Sequence, residues 1–108
     1  MYAEYLSYVG FRVVTAINGH EAVSLARMLH PDLILMDIGM PGMDGLEATA
    51  DLKADPAFAH TPIVALTGDT SFDICTRARE AGCATLIAKP VLPDEIVRRI
   101  RRILTGEH

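Results

Sequence analysis

Short apolar runs rich in β-branched residues alternate along the chain with segments whose apolar residues recur every three or four positions. The apolar runs predict β-strands. The second and third runs are nearly continuous in apolar residues, which is typical of strands covered on both faces of a parallel sheet. The four predicted strands are residues 12–16 (RVVTA), 32–37 (DLILMD), 62–67 (PIVALT) and 84–88 (ATLIA).

The segments that follow these strands predict helices, because several of them begin or end with residues that helix termini prefer. One follows Asp44 as its N-cap, one stops at Gly82, and the last has Pro93 in its first turn. The chain also opens with a stretch of helical character over residues 2–9 (YAEYLSYV). The predicted helices after it are residues 20–29, 46–53, 72–81 and 93–104.

The predicted order is therefore one helix and then four strand–helix pairs. Alternation of this kind predicts an α/β fold with a doubly wound parallel sheet and right-handed crossovers. At 108 residues the chain has room for one hydrophobic core and shows no linker, so we expect a single domain over residues 1–108. The opening is unusual, since a doubly wound domain rarely begins with a short helix that no strand precedes.

Composition narrows the function classes. Half of the residues are apolar and 22% are charged, which is typical of a globular domain. The net charge of -4 gives no electrostatic reason to bind nucleic acid. No apolar run approaches the length of a membrane span, and the start has no signal-peptide layout. We therefore expect a cytoplasmic protein that binds neither nucleic acid nor a membrane.

Positive charge is concentrated in the last predicted helix. That helix holds four of the ten basic residues, namely Arg98, Arg99, Arg101 and Arg102. Contact with an acidic partner is one interpretation. The other, which we prefer at this point, is a solvated face that complements the helix dipole.

Reactive or polar groups stand at the ends of three predicted strands. Asp37 closes the second, Thr67 closes the third, and Lys89 directly follows the fourth. Because ligands bind at the carboxyl ends of parallel strands, we expect these side chains to converge on one edge. A carboxylate there can attack phosphorus and form an aspartyl phosphate. The hydroxyl and the ammonium can hold the transferred oxygens, and Gly68 leaves room for the group.

These motifs resemble those of bacterial two-component response-regulator receiver domains, the CheY-like family, across essentially the whole chain and in the same order. Residues 32–45 (DLILMDIGMPGMDG) resemble the phosphoacceptor strand and loop. Residues 65–68 (ALTG) resemble the switch-hydroxyl segment, and residues 88–90 (AKP) resemble the lysine–proline signature. The resemblance implies the flavodoxin-like form of the doubly wound sheet.

The resemblance also implies a role for each residue at the predicted edge. Asp37 would accept a phosphoryl group from a sensor histidine kinase or phosphotransfer protein, Thr67 would bind that group, and Lys89 would pair with it. The peptide bond before Pro90 would be cis. The signal would pass by conformational change to a downstream protein on the face from Phe72 to Leu104.

The sequence departs from the family pattern at its start. Receiver domains begin with an apolar strand and two acidic residues, whereas this sequence begins inside the next helix. We interpret it as an N-terminally truncated receiver that lacks roughly 10–15 residues at ordinary element lengths. The missing strand is normally central. Its loss removes ~6–12 kcal/mol of apolar burial, against a domain stability of ~5–15 kcal/mol. We expect the chain to close the gap by pairing residues 12–16 directly with 32–37, or by strand exchange in a homodimer.

The missing acidic pair also matters for chemistry. In the family this pair holds Mg²⁺ together with the acceptor carboxylate and a backbone carbonyl, which would be those of Asp37 and Gly39. With the site incomplete, we expect weak Mg²⁺ binding and slow or absent phosphorylation. Leu86 stands where the family commonly has a switch aromatic, so it offers no ring to couple to the hydroxyl.

Three function hypotheses follow. The first is a normal receiver in a shortened form, which an in-frame strand and acidic pair encoded upstream of Met1 would support. The second is a degenerate receiver that acts as a protein-interaction module without phosphorylation. The third is an aspartyl-phosphate phosphatase. We set the third aside, because such enzymes commonly have a second Asp where this chain has Gly39. We therefore expect a signalling domain with at most self-catalysed phosphoryl transfer and hydrolysis, and not an enzyme.

Overall fold

The structure is a computed structural model that describes residues 4–8, 11–38 and 45–106. Strands and helices alternate through these residues, with a short 3₁₀ turn at Pro56–Phe58. The strands are β1 (Glu4–Tyr8), β2 (Phe11–Ala16), β3 (Leu33–Asp37), β4 (Ile63–Thr67) and β5 (Thr85–Ala88). The helices are α1 (Gly19–Leu29), α2 (Gly45–Ala54), α3 (Phe72–Ala81) and α4 (Pro93–Thr105).

The described strands form one sheet in the order β1-β2-β3-β4-β5. Strands β2 to β5 are parallel, and a helix connects each to the next. Along β3, alternate residues face opposite sides of the sheet. Ile34 and Met36 pack in a core with residues of α1, α2 and α3, whereas Leu33 and Leu35 pack in a second core with Ile100 of α4. The predicted doubly wound, flavodoxin-like α/β fold is confirmed.

Local sequence sets where the helices begin and end. The Asn18 side chain accepts a hydrogen bond of 2.9 Å from the backbone N–H of Glu21 at the start of α1. In return, the Glu21 carboxylate accepts one of 3.0 Å from Ile17 N–H, so two otherwise unpaired donors are satisfied. Helix α3 ends at Gly82 in a left-handed conformation with φ 105°, as a C-terminal glycine favours.

The prediction of a helix over residues 2–9 is wrong. Glu4–Tyr8 forms β1, which pairs antiparallel with β2 from Glu4 opposite Thr15 to Tyr8 opposite Phe11. An isolated helix of this length is marginal. The free edge of β2 offers unpaired N–H and C=O groups instead, and tyrosines favour extended backbone. The context of the sheet therefore overrides the local helical pattern.

The expected direct pairing of the first two predicted strands is confirmed. Strand β2 lies beside β3 in parallel register, from Val13 opposite Leu33 to Ala16 opposite Met36. The backbone N–H of Asp32 also donates to Arg12 C=O at 2.7 Å, directly before β3. Within the described residues, no helix is both long enough and apolar enough to cross a bilayer.

Candidate functional site

The carboxyl ends of β3, β4 and β5 form one edge of the sheet, as the strand pattern predicted. Asp37 lies opposite Leu66, and Thr67 lies opposite Ala88. Lys89 follows Ala88, and its backbone N–H donates to the carbonyl of Thr67 at 2.8 Å. Parallel register therefore brings the ends of three sequence-distant strands within side-chain reach of each other.

Asp37 and Lys89 form an ion pair at this edge. The Lys89 ammonium donates to Asp37 Oδ1 at 3.0 Å. The Asp37 side chain is 19% exposed and that of Lys89 is 38% exposed, so the carboxylate is partly buried and still reachable from solvent. A cation at this distance can stabilise negative charge that develops on a group attached to the carboxylate.

The Thr67 hydroxyl makes its hydrogen bonds to the loop after β4. It accepts from the backbone N–H of Asp69 at 2.9 Å and donates to the carbonyl of Asp69 at 3.3 Å. Thr67 is buried, with 3% of its surface exposed. The structure therefore places Thr67 at the predicted edge, with its hydroxyl engaged by Asp69. A threonine whose hydroxyl forms a hydrogen bond with the backbone two residues later is a known local motif. The spacing of Thr67 and Asp69 could therefore have predicted this hydrogen bond from the sequence.

The loop that holds Thr67 is itself ordered by hydrogen bonds. The Asp69 carboxylate accepts from the backbone N–H of Ser71 at 2.9 Å. This bond, with a second from the Ser71 side chain, lowers the pKa of Asp69 below its usual value. The Ser71 hydroxyl caps α3 by accepting from Ile74 N–H. A Cβ at Gly68 would meet no atom within 4 Å, so the approach beside Thr67 is open.

Gly45 brings α2 against the residues that flank Asp37. A Cβ at Gly45 would lie 2.8 Å from Ile38 Cγ2 and 3.1 Å from Met36 Cγ. Ile38 and Met36 are the chain neighbours of Asp37, and both are buried. Any side chain at position 45 would therefore push on the end of β3 that presents the carboxylate. From the sequence, Gly45 was only the last residue of the motif that resembles the phosphoacceptor strand and loop.

Two other predicted positions lie next to the edge. The Lys89–Pro90 peptide bond is cis. Leu86 is half-buried and packs against the core on the α1–α3 side of the sheet, together with Ile74 and Cys83. The position of the family's usual switch aromatic is thus filled by an aliphatic side chain within β5.

The described residues do not form a magnesium site. Magnesium prefers several oxygen ligands in octahedral geometry. Among the described residues there is no group of three or more His, Cys, Asp or Glu side chains able to hold a metal ion. Asp37 offers one carboxylate, and its Oδ1 is bonded to Lys89. Gly39, whose carbonyl was predicted as a ligand, and Asp44, predicted as an N-cap, lie outside the described residues.

Comparison with known protein families decides the identity of the fold. The response regulator receiver domain matches residues 1–101. The chain belongs to this family. The receiver is 36% identical over 104 residues to the polar-differentiation response regulator DivK of Brucella ovis. The matched stretch covers 96% of this chain and 85% of that protein. The family recognised from the motifs is confirmed.

Solved structures agree with this assignment. The receiver is similar to the chemotaxis response regulator CheY4 of Vibrio cholerae, with a TM-score of 0.73 and 28% identity over 82% of this chain and 73% of that one. It is also similar to the receiver domain of a histidine kinase from Syntrophus aciditrophicus, with a TM-score of 0.72 and 34% identity over 82% and 67% of the two chains. The receiver is therefore a module of two-component signal transduction.

Proposed function

We propose that Asp37 is the phosphoacceptor of this receiver. The observation that supports this most directly is the 3.0 Å contact between Lys89 Nζ and Asp37 Oδ1 at the carboxyl edge of the sheet. In open α/β sheets this edge is where ligands bind. Asp37 is also the only carboxylate that the phosphoacceptor motif of residues 32–45 places at the end of a strand.

The proposed reaction is a phosphoryl transfer from the phosphohistidine of a sensor histidine kinase or phosphotransfer protein. A carboxylate oxygen of Asp37 attacks phosphorus, a P–O bond forms, and the P–N bond breaks with its electron pair returning to the imidazole. The Lys89 ammonium then pairs with the phosphoryl oxygens. To donate to the same group, the Thr67 hydroxyl gives up its 3.3 Å hydrogen bond to the carbonyl of Asp69, and this exchange moves the loop that caps α3.

That movement supplies a route for the signal. The proposed target surface extends from Phe72 to Leu104 and contains exposed apolar side chains, with Phe72 84% exposed and Leu92 75% exposed. Phe72 is the first residue of α3 and Leu92 immediately precedes α4. Both therefore lie near the strand ends that present Thr67 and Lys89. We place this exchange with kinase and target in the cytoplasm.

We further propose that the 108-residue chain binds Mg²⁺ weakly and is phosphorylated slowly. Among the described residues, Asp37 belongs to no group of three or more His, Cys, Asp or Glu side chains that could hold a metal ion. The alternative function is a degenerate receiver that acts as a protein-interaction module. Leu86, which replaces the switch aromatic, favours this alternative, because it packs against the core and offers no aromatic ring to couple to the Thr67 hydroxyl.

Intact-mass measurement separates the two functions. The chain is incubated with acetyl phosphate and Mg²⁺, with Asp37→Asn as the matched control. A phosphoacceptor gains the mass of one phosphoryl group slowly, and Asp37→Asn gains none. No gain in either protein, with both correctly folded by circular dichroism, would favour the interaction module. An equal gain in both would overturn the assignment of Asp37.

A further inference from the structure

Strand β1 forms one outer edge of the sheet. It pairs antiparallel with β2 on one side, with Tyr5 opposite Val14 and Ser7 opposite Arg12. On its other side, none of the strands that the structure describes lies next to it. The outward backbone N–H and C=O groups of Glu4–Tyr8 can therefore pair with a further strand. This edge lies at the opposite side of the sheet from β5 and from the proposed target surface.

The composition of β1 does not protect this edge. Exposed edge strands commonly carry lysine or proline, which discourage further pairing. Strand β5, at the opposite edge, has four residues and is followed directly by Lys89 and Pro90. The sequence of β1 is EYLSY, in which Glu4 is the only charged residue and tyrosine favours extended backbone. Of the two edges of the described sheet, β1 is therefore the one that favours pairing with another strand.

Helix α1 presents apolar side chains on the side that faces β1. Its opposite side faces α2, because the Arg27 guanidinium lies 3.7 Å from the carboxylate of Asp55, directly after α2. Since α1 connects β2 to β3 and α2 connects β3 to β4, the side of α1 turned away from α2 lies toward β1. At helical spacing that side holds Leu25, Met28 and Leu29. Met28 is 69% exposed and the two leucines are half-buried, so apolar surface borders the free edge.

We infer that β1 of one chain pairs antiparallel with β1 of a second copy, which joins the two sheets in a symmetric homodimer. A two-fold axis perpendicular to the sheet, beside Leu6, places Leu6 opposite its own counterpart. Tyr5 then lies opposite Ser7, and Glu4 lies opposite Tyr8, so like charges do not face each other. The partners in each pair are an even number of positions apart, so the outward N–H and C=O groups of one strand meet those of the other.

A second copy fits this edge because the same axis makes the remaining contacts self-complementary. It places both α1 helices on the same face of the joined sheet. Their Leu25 and Met28 sides then face each other above the two β1 strands, which covers the exposed apolar surface. Each copy keeps its own β1, so this association differs from strand exchange. It requires neither Asp37 nor its phosphorylation, and it therefore goes beyond the proposed function.

A single cysteine at position 6 tests the register directly. In a chain with Cys75→Ser and Cys83→Ser, the Cα atoms of two Leu6→Cys residues would lie about 4.5–5.5 Å apart, a distance that a disulfide spans. Ser7→Cys is the matched control, because its two copies would be offset along the strands and lie about 8 Å apart, beyond that range. Under mild oxidation we expect Leu6→Cys to form a covalent dimer at least about tenfold faster than Ser7→Cys.

Charge substitutions at the same position test the association without a cross-link. Sedimentation velocity of the natural chain should show a monomer–dimer equilibrium. Leu6→Lys and Leu6→Glu each place like charges directly opposite, so each variant alone should be monomeric. Their equimolar mixture should form a dimer again, because unlike charges then face each other. Circular dichroism confirms that each variant is folded.

Two exposed helix positions test the contribution of α1. Met28→Lys should weaken dimerisation by at least about fivefold, because it places a charge where the two α1 helices face each other. Ala50→Lys adds the same charge at an exposed position of α2, away from β1, and should change dimerisation by less than about twofold.

Several results would overturn the inference. A natural chain that sediments as a monomer into the millimolar range would show that β1 does not pair. Equal cross-linking of Leu6→Cys and Ser7→Cys would exclude the proposed register. A dimer that persists in both Leu6→Lys and Leu6→Glu, or that Met28→Lys and Ala50→Lys weaken equally, would assign the contact to another face.

Discussion

The ammonium of Lys89 lies 3.0 Å from the carboxylate of Asp37, although 52 residues separate them in the sequence. Two crossovers of the parallel sheet bring them together. Asp37 ends β3, Lys89 follows β5, and β4 lies between those strands. The contact is therefore a product of the topology, and it joins the proposed phosphoacceptor to the cation that would pair with the transferred group.

Removing the Lys89 charge should impair phosphoryl transfer much more than stability. In Lys89→Gln we expect the rate of phosphorylation by acetyl phosphate to fall at least about tenfold, because the developing charge on phosphorus loses its cation. The free energy of unfolding should change by less than about 1 kcal/mol, since the lysine side chain is more than one-third exposed. Intact mass against time and urea denaturation measure the two effects. Lys89→Arg should retain more of the phosphorylation rate. An unchanged rate in Lys89→Gln would exclude the proposed pairing of Lys89 with the phosphoryl oxygens.

The Thr67 hydroxyl should stabilise the loop before α3. Thr67→Ala leaves the backbone N–H of Asp69 without its acceptor, so we expect a loss of about 1–2 kcal/mol in the free energy of unfolding. Thr67→Ser keeps the oxygen and should lie within about 0.5–1 kcal/mol of the natural chain. Urea denaturation measures both. Faster hydrogen exchange at the Asp69 amide in the alanine variant alone would confirm the cause, and equal exchange in both variants would contradict it.

The packing of α2 on the end of β3 should make Gly45 intolerant of any side chain. In Gly45→Ala the new methyl group would lie 2.8 Å from Ile38 Cγ2, so we expect destabilisation of about 1–3 kcal/mol despite the better helix propensity of alanine. Thermal and urea denaturation measure the change.

Gly68→Ala is the matched control for this substitution. Its Cβ would meet nothing within 4 Å, and its effect on stability should stay within about 0.5 kcal/mol. A Gly45→Ala variant as stable as Gly68→Ala would show that α2 can shift away from Ile38 at no cost.

Burial of Cys83 should make the free energy of unfolding depend on pH in the alkaline range. Removal from water raises the pKa of the Cys83 thiol above its ordinary value near 9.0, and a hydrogen bond with Thr49 offsets this in part. Above that pH the thiol ionises in the unfolded chain while it stays protonated in the folded one. The folded state then binds more protons, so stability falls as the pH rises. Cys83→Ala should lose less stability between about pH 7.5 and about pH 10 than the natural chain, as measured by urea denaturation. Equal losses would contradict the raised pKa.

Much of the fold follows from the sequence because its strands are strongly patterned. The residues of β3 before Asp37 are all apolar, which predicts a strand covered on both faces of the sheet. Asp37 follows them at the point where the strand ends. That single change from apolar to charged predicts both the sheet edge and the candidate nucleophile. Lys89 is predictable for the same reason.

The rest depends on contacts that no local pattern specifies. Residues 4–8 became a strand because the edge of β2 was free, which is a property of the assembled sheet. The orientation of the Thr67 hydroxyl depends on the path of the loop to Asp69.

Chemical trapping of the modified residue tests the central proposal most directly. After incubation with acetyl phosphate and Mg²⁺, borohydride reduces an aspartyl phosphate to homoserine, and peptide mass spectrometry locates the conversion. We predict homoserine at position 37 and at no other aspartate, with no conversion in Asp37→Asn. Homoserine at another aspartate, such as Asp69, or its absence from the folded chain after prolonged incubation, would contradict the assignment of Asp37 as the phosphoacceptor.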